Sequence, residues 1–240
     1  MELIKSYITK NPCYQNNVKR IDSRYRKFQD EGPKGGILHA VGCSQPAASV
    51  FIDLWNKPTE DDKAVHGIID ANSGVAYQLM PWNYRGWHAG GTANNTHIGV
   101  EMCESRYTKY IGGDKFKVLN QAKALADCKR AYDTAVELFA KLCKEFGWNP
   151  ETDIMSHNEA GKKGIASGHT DPEHYWKGVG APYTMKGFRS DVRAKLDEMN
   201  KPKITYRIQV GAFKNKKSAQ AYLEEVRKKF PNAYMVEDRG

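Results

Sequence analysis

The chain has 240 residues, with 37 Lys and Arg against 28 Asp and Glu, giving a formal net charge of +9. Its 40% hydrophobic and 11% aromatic content excludes wholesale disorder, and it holds no apolar run of about 18 residues that would cross a membrane. The basic excess predicts an anionic partner, whether nucleic acid, anionic membrane or anionic wall polymer, without choosing among them. The five cysteines are odd in number and form no CxxC, so neither a complete disulfide framework nor a zinc knuckle is indicated, as fits folding in a reducing compartment. Residues 1–17 are polar and amphipathic and lack the apolar core of a secretory leader, which predicts synthesis in the cytoplasm without a signal peptide.

Taken in chain order, KGGILHAVG (34–42) reads as glycines leading into a short buried strand that ends near His39. AVHGIIDANSGVAYQL predicts a strand pair turning at Asn72-Ser73-Gly74, where Gly74 supplies the permissive backbone. HIGVEMCE (97–104) is a further strand, with Ile98, Val100 and Met102 on one face and Gly99, Glu101 and Cys103 on the other. Residues 119–147 carry apolar side chains at three- and four-residue steps, a long amphipathic helix ended by Gly147, and 187–199 predict a second. The expected architecture is α/β, a mixed central sheet flanked by helices, over residues 1–199. The polar, proline-containing stretch 200–203 reads as a linker. Beyond it TYRIQVGAF, KKSAQAYLEEVRKKF and NAYMVED predict a small β-α-β unit over 204–240.

Three residues stand out for chemistry: His39 at a strand end, His157 in IMSHNEAG and Asp171 in HTDPEHYW. Spacing alone leaves each an ordinary reading, a buried histidine or an Asp-Pro turn, because no HExxH or similar close-spaced metal motif joins them. Glu101 lies between apolar Val100 and Met102, where a carboxylate is costly unless it is paired or at work.

The motifs LHAVG, AVHGIID, GVAYQLMPWN, WHAGG, HIGVEMCE, MSHNEAG and HTDPEHYW, in that order, resemble those of type 2 N-acetylmuramoyl-L-alanine amidases. That zinc amidase fold is shared with peptidoglycan recognition proteins and many phage endolysins, and the resemblance spans roughly residues 30–185. It implies one Zn²⁺ per chain held by His39, His157 and Asp171, with the fourth tetrahedral position open for water. It implies Glu101 as the general base. His169, standing where many members carry Lys, would stabilise the oxyanion. A rival arrangement places His169 or His174 on the metal in place of Asp171. His66 and His88 match positions beside the zinc and, with Trp82 and Trp87, would line the substrate groove. Trp82 and Trp87 are candidates for stacking on sugar, with ordinary packing an equal alternative.

The implied substrate is bacterial peptidoglycan, cut between the lactyl group of N-acetylmuramic acid and L-alanine of the stem peptide. The alternative is a non-catalytic peptidoglycan binder of the same fold. The missing leader points to a phage or prophage endolysin that reaches the cell wall after holin-type release. The tail motif Tyr206-x-Ile208-Gln209-Val210-Gly211-x-Phe213 resembles the first half of a sporulation-related repeat (SPOR) domain, a peptidoglycan-binding family. A single half leaves open the pairing of two chains through an exposed strand edge. Residues 201–240 hold 10 Lys and Arg against 4 Asp and Glu, a net +6 of the +9, which assigns most of the basic charge to wall attachment. No nucleic-acid-binding motif accompanies that charge, so no nucleic-acid partner is expected.

Overall fold

A computed structural model describes residues 1–58, 62–202 and 209–237. The chain divides into two compact units, Met1–Asn200 and Lys201–Gly240.

The first unit opens with strand β1 (Leu3–Lys5) and helices α1 (Pro12–Lys19) and α2 (Ser23–Glu31), capped by the side chains of Asn11 and Asp22. Strand β2 (Gly35–Ala40) follows, then α3 (Ala48–Trp55), the strands β3 (Gly67–Ile69) and β4 (Ala76–Gln78), and β5 (His97–Met102). A hairpin of β6 (Thr108–Gly112) and β7 (Lys115–Val118) leads into α4 (Gln121–Phe146). The short elements α5 (Pro150–Asp153), β8 (Ile154–Ser156), α6 (His157–Lys162) and α7 (Glu173–Gly178) precede α8 (Met185–Asn200).

Six strands form one mixed sheet in the order β1-β4-β3-β5-β2-β8, parallel throughout except for the antiparallel β3–β4 pair. The expected strands at 34–42 and 97–104 are the adjacent interior strands β2 and β5, and AVHGIIDANSGVAYQL supplies β3 and β4. All six residues of β2 are buried, as suits a parallel strand covered on both faces. Gly36 belongs there because a side chain would collide with the Phe139 ring of α4, its Cβ meeting Cε1 at 2.7 Å.

The long helix starts at Asn120, whose side chain accepts from the Lys123 N–H, and ends at Gly147 in the left-handed conformation (φ 71°). Its inner face carries Cys128, Tyr132, Leu138 and Phe139. Tyr132 stacks on Tyr183 at 3.8 Å and donates to Asp191 of α8 at 2.6 Å, while Phe139 meets Phe188 edge-on. These contacts hold α4 and α8 as one layer on the sheet. All five cysteines are free, and four are buried in the apolar interior.

In the second unit the described residues show one helix, α9 (Lys216–Lys229), capped by Asn215. The strand expected for TYRIQVGAF falls partly on 203–208, outside the described residues, and 209–213 are not in a strand. NAYMVED is likewise no strand over 232–237. Among the described residues of this unit no strand pair forms, and α9 has no buried residue. Among the described residues no helix is long and apolar enough to cross a membrane.

Candidate metal centre

Strand register builds the centre. In the parallel β2–β5 pair His39 lies opposite Glu101, so the two side chains leave the same sheet face side by side. On the other flank of β2, Leu38 pairs with Ser156 of β8, which places His157 beside His39 as the first residue of α6. A capping box between Ser156 and Glu159 fixes that helix start, and the Arg189 guanidinium holds Glu159 from α8 at 2.8 Å. Asp171 arrives on the loop before α7. The Ala40 N–H donates to its Oδ2 at 3.3 Å and its own carbonyl accepts from the Asn158 N–H at 3.2 Å.

His39, His157 and Asp171 are all buried, and one donor atom of each lies within 4.8 Å of the others. The two Nδ1 atoms approach to 3.0 Å, and Asp171 offers Oδ2 at 3.3 Å from His39 and Oδ1 at 3.5 Å from His157. Outer partners orient both rings. His88 Nε2 faces the His97 carbonyl at 3.1 Å, an acceptor, so it carries the proton and His88 Nδ1 must accept. It accepts from His39 Nε2 at 3.0 Å, leaving the lone pair of neutral His39 on Nδ1. Ser167 donates its hydroxyl to the Ala89 carbonyl and so receives the proton of His157 Nε2, which leaves the His157 lone pair on Nδ1 as well.

Two lone pairs and a carboxylate therefore converge on one point, an arrangement that could hold a metal ion. Burial alone would lower the pKa of His39, but the Asp171 hydrogen bond and the charges of Glu101 and Asp171 outweigh it and raise it. Burial and the charge of His39 push His157 down to about 4, so it is a neutral donor. Burial favours the protonated form of Asp171, yet the two histidines and the Ala40 N–H hold the carboxyl below its usual range. Once a metal displaces the proton of His39, two neutral imidazoles and one ionised carboxylate would make a donor set that suits zinc.

Glu101 stands beside this cluster with Oε2 buried and unpartnered. Burial, reinforced by Asp171 and opposed by His39, pushes its carboxyl up to about 7. A carboxyl poised near neutrality next to a metal position can accept a proton from water. His169 is at the rim, its side chain 57% exposed, its ring stacked on His157 at 4.3 Å and its Nδ1 3.8 Å from Asp171 Oδ1. His174 is turned away from the cluster, with Nε2 bonded to the Tyr110 hydroxyl at 3.0 Å. The rival metal set built on His174 thus has no geometric support.

Two expectations need correction. His66 is wholly buried, accepts from the Gly99 N–H at 3.0 Å through Nδ1 and donates to the Tyr84 carbonyl at 2.7 Å through Nε2. With both nitrogens spent on backbone it locks β3 to β5 and has no face left for substrate. His88 likewise spends both nitrogens, on His39 and the His97 carbonyl, and so orients a donor instead of touching substrate. Gly99 makes room for it, since a Cβ there would meet the His88 ring at 2.5 Å. Trp82 is half-buried against the core, whereas Trp87 is 36% exposed with the Arg85 guanidinium over its ring at 5.0 Å. Ser167 and Asn94 were not legible beforehand. Asn94, which opens the formal glycosylation sequon Asn94-Asn95-Thr96, is 1% exposed and accepts from the N–H groups of His88 and Ala89, so it is a buried loop brace.

The His66 lock carries a pH signature. Burial pushes its pKa down to about 4, against about 6.5 when unfolded. Its stabilising share is therefore complete above pH 6.5 and lost as pH falls through 4. In the apoprotein, His66→Leu is expected to reduce the proton uptake on unfolding at pH 5 by about one, read from the pH slope of unfolding free energy. An unchanged slope would refute the assignment.

Comparison with known proteins gives the following. A family model described as N-acetylmuramoyl-L-alanine amidase matches residues 29–174, and one described as SPOR domain matches 202–240. The N-acetylmuramoyl-L-alanine amidase XlyA of Bacillus subtilis (strain 168) is 26% identical over 146 residues, which are 60% of this chain and 35% of that protein. The chain thus spans well under half the length of the curated relative it matches. Among solved structures, the Staphylococcus aureus hydrolase AmiA in complex with its ligand aligns with a TM-score of 0.57 and 17% identity, over 83% of this chain and 85% of its own. The PlyG catalytic domain aligns with a TM-score of 0.52 and 19% identity, over 85% and 100%. At such identities these likenesses show the fold.

Proposed function

The chain belongs to the N-acetylmuramoyl-L-alanine amidase family, and from that premise we propose that it is a zinc-dependent hydrolase of bacterial peptidoglycan. It cleaves the amide between N-acetylmuramic acid and L-alanine of the stem peptide. The observation that carries the zinc reading is the convergence of the His39 and His157 lone pairs with the Asp171 carboxylate. Zinc bound there would polarise the scissile carbonyl and lower the pKa of a water.

The protein's own residues do the rest. Glu101, adjacent to the cluster and free of partners at Oε2, takes the proton of the attacking water and returns it to the leaving amine. His169, exposed at the rim, donates to the oxygen on which negative charge develops. Trp87 offers an exposed ring edge for a sugar. Residues 1–199 form the catalytic domain and 204–240 a wall-binding unit, whose net +6 suits an anionic wall polymer. Pairing of two chains through that unit, and an endolysin role with release at lysis, belong to the same reading.

One assay separates an amidase from a mere binder. Purified cell walls incubated with the full chain are expected to release new amino groups without new reducing sugars, and a chelator is expected to stop the release. Wall binding with neither product would support the non-catalytic alternative.

A further inference from the structure

Beyond the metal-ligating residues lies a second buried polar chain. Glu104 is fully buried two residues beyond β5. Its Oε1 accepts from the Gly42 N–H at 3.0 Å, and its Oε2 accepts from the Tyr110 hydroxyl at 2.6 Å. Having given its proton to Glu104, Tyr110 must accept from His174 Nε2 at 3.0 Å. His174 Nδ1 then ends the chain, buried and without a partner.

The sequence positions of these groups form a pattern. Gly42 lies three residues after His39, Glu104 three after Glu101, and His174 three after Asp171. The chain segments that carry His39, Glu101 and Asp171 are therefore joined a second time, one step further along each. The hairpin carrying Tyr110 also buttresses α7 directly. Phe116 of β7 sits against Gly178, where a Cβ would collide with its ring, and Asp114 accepts from Thr170 at 3.2 Å. Ser44 and Thr108 share a further hydroxyl contact at 3.0 Å across the same gap.

We propose that Glu104, acting through Tyr110, is a positioning residue that sets the spacing between His39 and Asp171 by strapping the chain beyond one to the chain beyond the other. This rests on the metal reading above. Keeping a carboxyl here is costly, since burial pushes it up to about 8 even against the pull of Tyr110 and Gly42. An apolar residue of similar size would fill the space at lower cost but would leave the Gly42 N–H and the Tyr110 hydroxyl unpaired. The strap acts on geometry: nearer the site, the Asp171 loop and the end of β2 meet through the Ala40 N–H bond to Asp171 and the contact of His39 with Asp171 at 3.3 Å, and the strap holds the two segments one step further out.

The test compares the wild-type full chain with Tyr110→Phe, Glu104→Ala and Glu104→Gln. Zinc affinity is read by chelator competition, the visible spectrum after cobalt substitution, and folding by near-ultraviolet circular dichroism. Tyr110→Phe and Glu104→Ala are expected to bind zinc about 10-fold more weakly, in the range of outer-sphere losses, with a shifted cobalt spectrum and native circular dichroism. Glu104→Gln, which can still bond both partners, is expected to keep most of the affinity. Wild-type affinity and spectrum in Tyr110→Phe and Glu104→Ala would overturn the proposal. So would an affinity loss that only tracks loss of folded protein. A wild-type chain that binds no zinc overturns the metal reading itself, and this proposal with it.

Discussion

Replacing His39 with alanine is expected to strip the protein of zinc and abolish amide hydrolysis. His39 touches every part of the centre: Nδ1 faces His157 at 3.0 Å and Asp171 at 3.3 Å, and Nε2 donates to His88 at 3.0 Å. Its loss removes one donor of three and leaves Asp171 a buried carboxylate with one less partner. Since outer-sphere changes alone cost about 10–100-fold in affinity, loss of a donor should exceed 100-fold. Metal analysis after dialysis checks this directly: about one zinc per wild-type chain, from the single three-donor cluster among the described residues, and none in His39→Ala. Full zinc content in the variant would refute the site. His157→Ala should behave in the same way. The fold should survive, because the sheet around β2 is held by apolar packing and backbone ladders that the imidazole does not join.

Glu101→Ala is expected to separate binding from turnover: zinc retained, hydrolysis down by about 10²–10⁴-fold, the usual worth of a positioned proton acceptor. The residue makes no hydrogen bond through Oε2, so removing it breaks little. The pH dependence follows from its carboxyl being pushed up to about 7 by burial. A base works only when ionised, so hydrolysis should rise with pH along an acid limb at or below 7, the metal's positive charge drawing the limb downward. For stability of the apoprotein the sign is opposite. A carboxyl whose folded pKa is raised favours the fold most below its unfolded value of 4.5, and this share is lost as pH rises through 7. At pH 8, metal-free Glu101→Gln should therefore be more stable than wild type by up to about 3 kcal/mol, measured by denaturant unfolding. Native hydrolysis rates in Glu101→Ala would sink the mechanism.

The two histidine corrections share a cause. His66 and His88 stand in sequence motifs beside the centre, and proximity suggested contact with substrate. Whether a histidine near a site faces the ligand or the backbone depends on what its two nitrogens meet, and those partners come from elsewhere in the chain. Tyr84, Gly99 and His97 supply backbone groups that spend both nitrogens of His66 and one of His88. The tail shows a related limit. Alternation in TYRIQVGAF expresses a preference for extended backbone, but a strand needs a neighbour to bond with, and the described residues of this unit provide none.

The sequence by itself determined the α/β class, the buried strands at 34–42 and 97–104, the long helix ending at Gly147, and the separate basic tail. Each of these rests on local periodicity, capping chemistry or composition, which neighbouring residues express without help from distant ones. Motif order named His39, His157, Asp171 and Glu101, residues far apart along the chain. Only the tertiary structure decided what those residues do to one another. The β2–β5 register set His39 beside Glu101, β8 delivered His157, and the Ala40 N–H caught Asp171. It also revealed Ser167, Glu104 and Tyr110, whose partners include groups far along the chain: Ala89 for Ser167, Gly42 for Glu104 and His174 for Tyr110. The direction of a proton on a buried ring, and hence the placement of a lone pair, is settled by the atoms packed around it, and these are brought together only when the sheet closes.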